Sequence, residues 1–179
     1  MVRLFTALTV PDDVAETLAR RQSGLPGAKW RTAEQLHVTL AFYGEVAEQR
    51  ADDLAAELER AAAGGPFEIA LSGVGAFGDG HRLSTLWAGV EPSERLSVLA
   101  GRCRSAAERA HIPIERREYR PHLTLAYLKP HVNPDRIGAW IAGHNLLKSP
   151  AIRIDRFGLY SSVLAHGGSH YELEREYLL

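Results

Sequence analysis

A six-residue pattern, His-(Val/Leu)-Thr-Leu-Ala-(Phe/Tyr), occurs twice in this 179-residue chain, at residues 37–42 and 122–127. The copies stand 85 positions apart, close to half the chain. Each lies in a run whose apolar residues alternate with polar ones, the period of a strand with one buried face. In such a strand the His and Thr point to the same side, about 6.6–6.8 Å apart at 3.3–3.4 Å per residue. The intervening Val or Leu anchors the other side to a core. One such tetrapeptide is a weak signal, but two at the same strand phase with matching flanks make coincidence the minor possibility. The fold must therefore hold two equivalent strands, and halves related by a pseudo-twofold axis would gather two imidazoles and two hydroxyls around one point.

The rest of the chain supplies the elements for that arrangement. Residues 2–10 read as a β-branched, apolar strand, and Pro11-Asp12-Asp13 opens a helix carrying Val14 and Leu18. Residues 36–43 form the first motif strand, with Val38, Leu40 and Phe42 on one side. Residues 47–63 form an amphipathic helix stopped by Gly64-Gly65-Pro66. Strands over 67–74 and 83–90 pair as an antiparallel hairpin around a Gly-rich turn at 75–80. Ser93 caps a helix that places Leu96, Leu99, Cys103, Ala106 or Ala107, and Ala110 on one face. Residues 122–128 form the second motif strand, with Leu123, Leu125 and Tyr127 together. Asn133-Pro134 starts a helix ended by Gly143, and strands over 151–161 and 170–178 flank a loop at 162–169 that reads equally as a plain hairpin loop or as one that borders the cleft or closes over it.

Length and composition limit the partners. At 179 residues, with no linker, low-complexity run or charge block, the chain reads as a single domain, 1–179. Twenty-one Lys and Arg against 22 Asp and Glu leave a net charge of −1, so any polyanion is met locally rather than by a general field. The one cysteine, Cys103, excludes an internal disulfide and suits a reducing, cytoplasmic setting; its spacing from Leu96 and Leu99 assigns it to packing. The apolar N-terminal stretch is too short to span a bilayer.

Two imidazoles facing one centre serve as general base and general acid, because histidine titrates near neutrality. Threonine hydroxyls beside them hydrogen-bond phosphoryl oxygens and stabilise charge as it develops. Metal binding fits less well, since two imidazoles without an Asp, Glu or third His on their face fall short of a usual ligand set. The chemistry that suits the set is metal-free phosphodiester cleavage.

These motifs resemble the two-histidine phosphoesterases, in particular the LigT-like bacterial and archaeal RNA 2′,3′-cyclic phosphodiesterases. The resemblance covers nearly the whole chain. Lys29-Trp30 and the run Leu36 to Val46 are similar to the first motif region, Tyr119-Arg120-Pro121-His122-Leu123-Thr124-Leu125-Ala126 to the second, and Ser162-x-Leu164 with Gly168 and Tyr171 to the family's C-terminal ending. At Tyr127 the chain departs from a pattern that carries arginine in many members, so Arg120 or another cation is the expected source of that phosphate contact. The resemblance implies an α+β, bilobal LigT-like fold: duplicated antiparallel sheet lobes, helices outside, and a central cleft carrying both H-x-T-x motifs. It implies hydrolysis of an RNA-terminal 2′,3′-cyclic phosphate, or of a cyclic nucleotide, to a 2′-phosphomonoester. His37 is then the proton donor and His122 the acceptor, roles that symmetry leaves reversible. Thr39 and Thr124 hold the phosphate. No metal or organic cofactor is required, and the partner is RNA rather than a membrane, with the protein a monomer.

Arg31, Arg116, Arg117 and Arg120 precede the motif strands, where phosphates could approach; Arg120 ranks first because Pro121 fixes its link to His122, whereas each of the others reads more readily as a solvated loop charge. Trp30, Tyr43 and Tyr160 are candidates to stack on a terminal base, although core packing suits each as well. The remaining histidines, His81, His111, His131, His144, His166 and His170, lie in loops or helix ends and have no paired motif. Two other functions fit the same residues: a 2′-5′ oligonucleotide phosphodiesterase or RNA ligase, joining tRNA halves by the reverse reaction, and a non-catalytic module that binds RNA ends.

Overall fold

In the computed structural model, which describes residues 1–79, 82–115, 117–165 and 168–179, the chain runs β1 (Val2–Thr9), α1 (Asp12–Ala19), β2 (Ala28–Trp30), a one-turn 3-10 helix (Ala33–Gln35), β3 (His37–Val46), α2 (Glu48–Ala61), β4 (Phe67–Ile69), β5 (Leu71–Asp79), β6 (Arg82–Val90), α3 (Glu94–Arg109), β7 (His122–Leu128), α4 (Pro134–His144), β8 (Ile152–Ile154), β9 (Arg156–Ala165) and β10 (Gly168–Leu178). The caps read from the sequence are formed. Ser93 Oγ accepts from the Leu96 amide at 3.2 Å, and Asn133 Oδ1 accepts from the Asp135 amide at 2.8 Å behind Pro134.

All pairing is antiparallel. One sheet runs β10-β9-β1-β3-β7-β6-β5, with β2 also beside β7, and a small β4-β8 ribbon stands apart. The sheet is two lobes meeting at a seam, because β3 and β7 share a single registered pair, Val38 and Leu123. The lobes are not the two halves of the chain. The C-terminal hairpin β9-β10 completes the lobe of β1 and β3, while β2, from the first half, lies on β7 in the other. The helices divide likewise: α2 and α3 pack together over β3 and β10. Helix α1 crosses to the second lobe, where Val14 and Leu18 line a crevice together with Leu71 and Leu147, and α4 packs on β5.

Each motif strand carries a β-bulge at the same place. Thr6 pairs Ala41 and Ala7 pairs Thr39, passing over Leu40; Leu86 pairs Ala126 and Trp87 pairs Thr124, passing over Leu125. A bulge adds one residue and resets the strand's phase. The strict alternation expected beyond the threonines therefore fails in both copies. Phe42 and Tyr127 are turned out, at 44% and 47% exposure, while Ala41, Tyr43, Ala126 and Leu128 are buried. The burial sequence of the first seven residues is identical in β3 and β7, so the duplication extends to the bulge.

Two loops are shorter than their composition suggests. The Gly-rich segment expected as a turn at 75–80 is strand to Asp79, and the segment expected as a loop at 162–169 is largely the facing ends of β9 and β10. Glycine and serine have the same backbone donors and acceptors as other residues and enter a strand where a neighbouring strand supplies the ladder, a tertiary effect that local composition does not carry. The expectations for His81, Arg116, His166 and Gly167 fall outside the described residues. Cys103 is fully buried with Leu96, Leu99 and Ala106, and burial pushes its thiol up to about 12, as a packing residue.

Candidate active site

The seam sets the four motif groups in one square. Val38 faces Leu123 in antiparallel register, and continuing that register by one residue each way puts His37 opposite Thr124 and Thr39 opposite His122. Directly opposed residues of an antiparallel pair share a face, with Cα atoms about 4.5–5.5 Å apart. The pseudo-twofold axis passes through the Val38–Leu123 pair, whose side chains are fully buried beneath the square. Tyr119 braces the seam from above the second motif, its hydroxyl donating to the Thr39 carbonyl at 2.9 Å.

Both imidazoles are held in the same way. His37 Nδ1 lies 2.7 Å from the Gln35 carbonyl, and His122 Nδ1 lies 2.6 Å from the Arg120 carbonyl. A carbonyl only accepts, so each Nδ1 carries the proton and donates it. That fixes the tautomer and leaves each Nε2 as the titrating nitrogen. Ring planes are set by aromatic neighbours: Phe5 and Tyr171 stand 5.1 and 5.3 Å from the His37 ring, and Phe77 meets the His122 ring edge-on at 4.7 Å. Burial holds the His37 imidazolium down, to about 4, with the Arg31 and His122 charges lowering it further against the opposing Gln35 bond. Burial lowers His122 too, helped by Arg117 and opposed by the Arg120 carbonyl. Without an anion between them, both rings are neutral at pH 7.

The outer candidates redistribute. Tyr43 is buried, its hydroxyl 3.1 Å from Thr6 Oγ1 and donating to the Cys103 carbonyl at 3.3 Å. The bulge at Leu40 turns it into the core, so it has no ring face to offer a base. Trp30 pairs with Ala126 on the helix side of β7 and packs 5.6 Å from Trp140 of α4, away from the histidines. Tyr160 stacks on Phe5 at 5.5 Å, behind His37. Arg120 contributes its carbonyl, whereas its side chain is 71% exposed and paired with Glu118. The buried cation is instead Arg31, 5% exposed, which donates to the Tyr171 hydroxyl at 2.8 Å and lies over the Tyr127 ring at 5.2 Å. Phe5, Phe77 and Tyr171 at the rings carry no motif of their own. Phe5 is one apolar residue in an apolar strand, Phe77 sits inside the glycines, and the Gly168…Tyr171 spacing is the one sequence signal for the third.

Among the described residues no group of three or more His, Cys, Asp and Glu converges as a ligand set. What the geometry offers is two histidines and two threonines on one floor and a guanidinium near the His37 ring, a set chemically able to take a phosphoryl group and move two protons.

A family model described as the 2'-5' RNA ligase superfamily matches residues 10–164. The RNA 2',3'-cyclic phosphodiesterase of Thermotoga maritima is 31% identical over 179 residues, spanning 96% of this chain and 92% of that protein. The RNA 2',3'-cyclic phosphodiesterase of Methanocaldococcus jannaschii is 27% identical, over 98% of this chain and all of that one. A crystal structure of a Thermus thermophilus protein matches the fold with a TM-score of 0.82 at 27% identity, covering 99% of this chain and 97% of its own.

Proposed function

Because the chain belongs to the 2'-5' RNA ligase superfamily, the two-histidine phosphoesterases, we propose that it is a phosphoric diester hydrolase that opens 2′,3′-cyclic phosphates at RNA ends to 2′-phosphomonoesters. The observation that carries this reading is the paired tautomer lock, two imidazoles with both Nδ1 atoms tied to the carbonyl two residues earlier and neither Nε2 hydrogen-bonded among the described residues.

His122 Nε2 takes a proton from water, which attacks phosphorus in line with the 3′-oxygen. The P–O3′ bond breaks as the new P–O bond forms, and His37 gives its Nε2 proton to the departing 3′-oxygen. The product is a 2′-phosphate beside a free 3′-hydroxyl. His37 is neutral before substrate arrives; the phosphate's negative charge favours its imidazolium, so the donor proton enters with the anion. Thr39 and Thr124 hydroxyls hold the two non-bridging oxygens, and their contribution grows as charge builds on those atoms.

The test is hydrolysis of nucleoside and short-RNA 2′,3′-cyclic phosphates in EDTA with the products resolved as 2′- or 3′-phosphate. Wild type forms the 2′-phosphate, and His37→Ala and His122→Ala each lose about 10²–10⁴-fold in kcat. An activated leaving group that needs no proton restores His37→Ala but not His122→Ala, which separates donor from acceptor. Tight binding of cyclic-phosphate ends without turnover by wild type would overturn the hydrolase in favour of an end-binding module. Among the described residues no helix is long and apolar enough to cross a membrane. A monomer in the cytoplasm completes the proposal, and sedimentation equilibrium tests the first of these.

A further inference from the structure

Of the charged side chains among the described residues, Arg31 is the one that is buried. It has no carboxylate within ion-pair distance among those residues. An uncompensated buried charge is costly, and proteins retain one where an anion completes it. The surroundings of Arg31 hold it in place without neutralising it. Its amide donates to the Leu125 carbonyl at 2.8 Å, extending the β2–β7 ladder by one bond, and its carbonyl accepts from Gln22 Nε2 at 2.8 Å. The guanidinium lies between two tyrosine rings, 5.2 Å from the Tyr127 centroid and 5.6 Å from that of Tyr171, whose hydroxyl takes one of its five N–H bonds. Strand alternation turns Trp30 to the helices and Arg31 to the histidine side, and its charge is felt at the His37 ring.

We propose that Arg31 is the anion clamp of this site, a phosphate-binding side chain supplied from the end of β2, with Tyr171 and Tyr127 as the residues that position it. A planar fork held by its edge and flanked by aromatic faces keeps its remaining donors for two oxygens of one phosphoryl group, a geometry that lysine does not reproduce. The inference rests on the hydrolase reading for the identity of the bound phosphate, but it is tested on its own by inorganic phosphate.

The variants are Arg31→Met, Arg31→Lys and the double variant Arg31→Met with Tyr127→Arg, whose new guanidinium starts from the ring that Arg31 now covers. Isothermal titration with inorganic phosphate and steady-state kinetics on a 2′,3′-cyclic nucleotide are read side by side. Arg31→Met weakens phosphate binding and raises KM by about 10–100-fold, Arg31→Lys falls between, and the double variant recovers most of the loss. The His37 ring, followed by NMR, titrates at higher pH in Arg31→Met because a neighbouring positive charge is gone. A purely structural Arg31 lowers the melting temperature and leaves phosphate affinity, KM and the His37 titration unchanged, which would overturn the clamp. Should Arg31→Met not fold, Tyr171→Phe and Arg31→Lys decide: a several-fold loss of phosphate affinity in both supports the clamp, and wild-type affinity in both removes it. Wild type that binds phosphate through Arg31 yet opens no cyclic phosphate leaves the clamp standing and ends the hydrolase reading.

Discussion

Each motif imidazole is a residue whose protonation is set from behind by a carbonyl and from the sides by aromatic rings. Turnover needs one ring protonated and the other neutral. In the free protein both titrate below the ordinary histidine value, His37 at about 4. Above pH 6.5 the singly protonated fraction therefore drops about tenfold per pH unit, and kcat/KM drops with it. In the complex the phosphate anion lifts the rings, so kcat holds to higher pH. Separate pH profiles of the two constants check this, and a kcat/KM that climbs from pH 6.5 to 8 contradicts it. At this scale the His and Thr of both tetrapeptides were legible, because a two-residue period alone fixes that they share a face. Arg31 stayed hidden among the arginines before the motif strands, where Arg120 looked the stronger. What distinguishes Arg31 is burial against Tyr127 and Tyr171, the latter 140 positions away, and no local pattern reports such a contact.

Strands and helices were legible wherever capping or periodicity spoke, and misread where a partner strand decided the outcome. The bulges at Leu40 and Leu125 illustrate the second case. Nothing in His-x-Thr-Leu-Ala-aromatic announces an extra residue, yet the bulge is what turns Phe42 and Tyr127 outward and sends Tyr43 to the core. Gly75 of β5 is a further case, since it serves close approach rather than turning. A Cβ on Gly75 would lie 2.4 Å from ring atoms of Trp87, the residue paired with Thr124. The Trp87 indole N–H is buried without a hydrogen-bond partner among the described residues, so packing alone fixes that ring, against Gly75 and Phe77 at 5.3 Å. Gly75→Ala is expected to lower stability by about 1–3 kcal/mol through overpacking. Adding Trp87→Phe, which shortens the opposing ring, should return part of it. Urea midpoints for the three proteins settle the point, and Gly75→Ala with a wild-type midpoint would show that Trp87 moves at no cost.

Across the whole molecule, duplication and exchange act together. Strands β3 and β7 are equivalent down to the bulge, but β9-β10 from the C-terminus builds the lobe of β1, and β2 with α1 builds the lobe of β5. Each lobe therefore draws on both halves of the chain, and the seam between them is a single strand pair with the histidines on it. A pseudo-twofold was readable from the spacing of the motifs; the exchange was not, because it depends on which edges remain open once the hairpins have formed. One consequence reaches global stability. A histidine held neutral and half-buried at the seam resists protonation only while the lobes are folded, so its folded value of about 4 lies below the value near 6.5 of an unfolded chain. Between those values the unfolded state binds the extra proton, and stability rises with pH. The contribution is complete above about pH 6.5 and is lost as pH falls toward 4. Its ceiling is about 3 kcal/mol, and His122 adds in the same direction. Replacing His37 by Gln removes the titrating group, so unfolding free energies from urea titrations between pH 4 and 7 should fall less steeply toward acid in His37→Gln than in wild type. Equal slopes in the two proteins would mean that His37 is hydrated in the folded state and that the seam is more open than its packing against Phe5 and Tyr171 indicates.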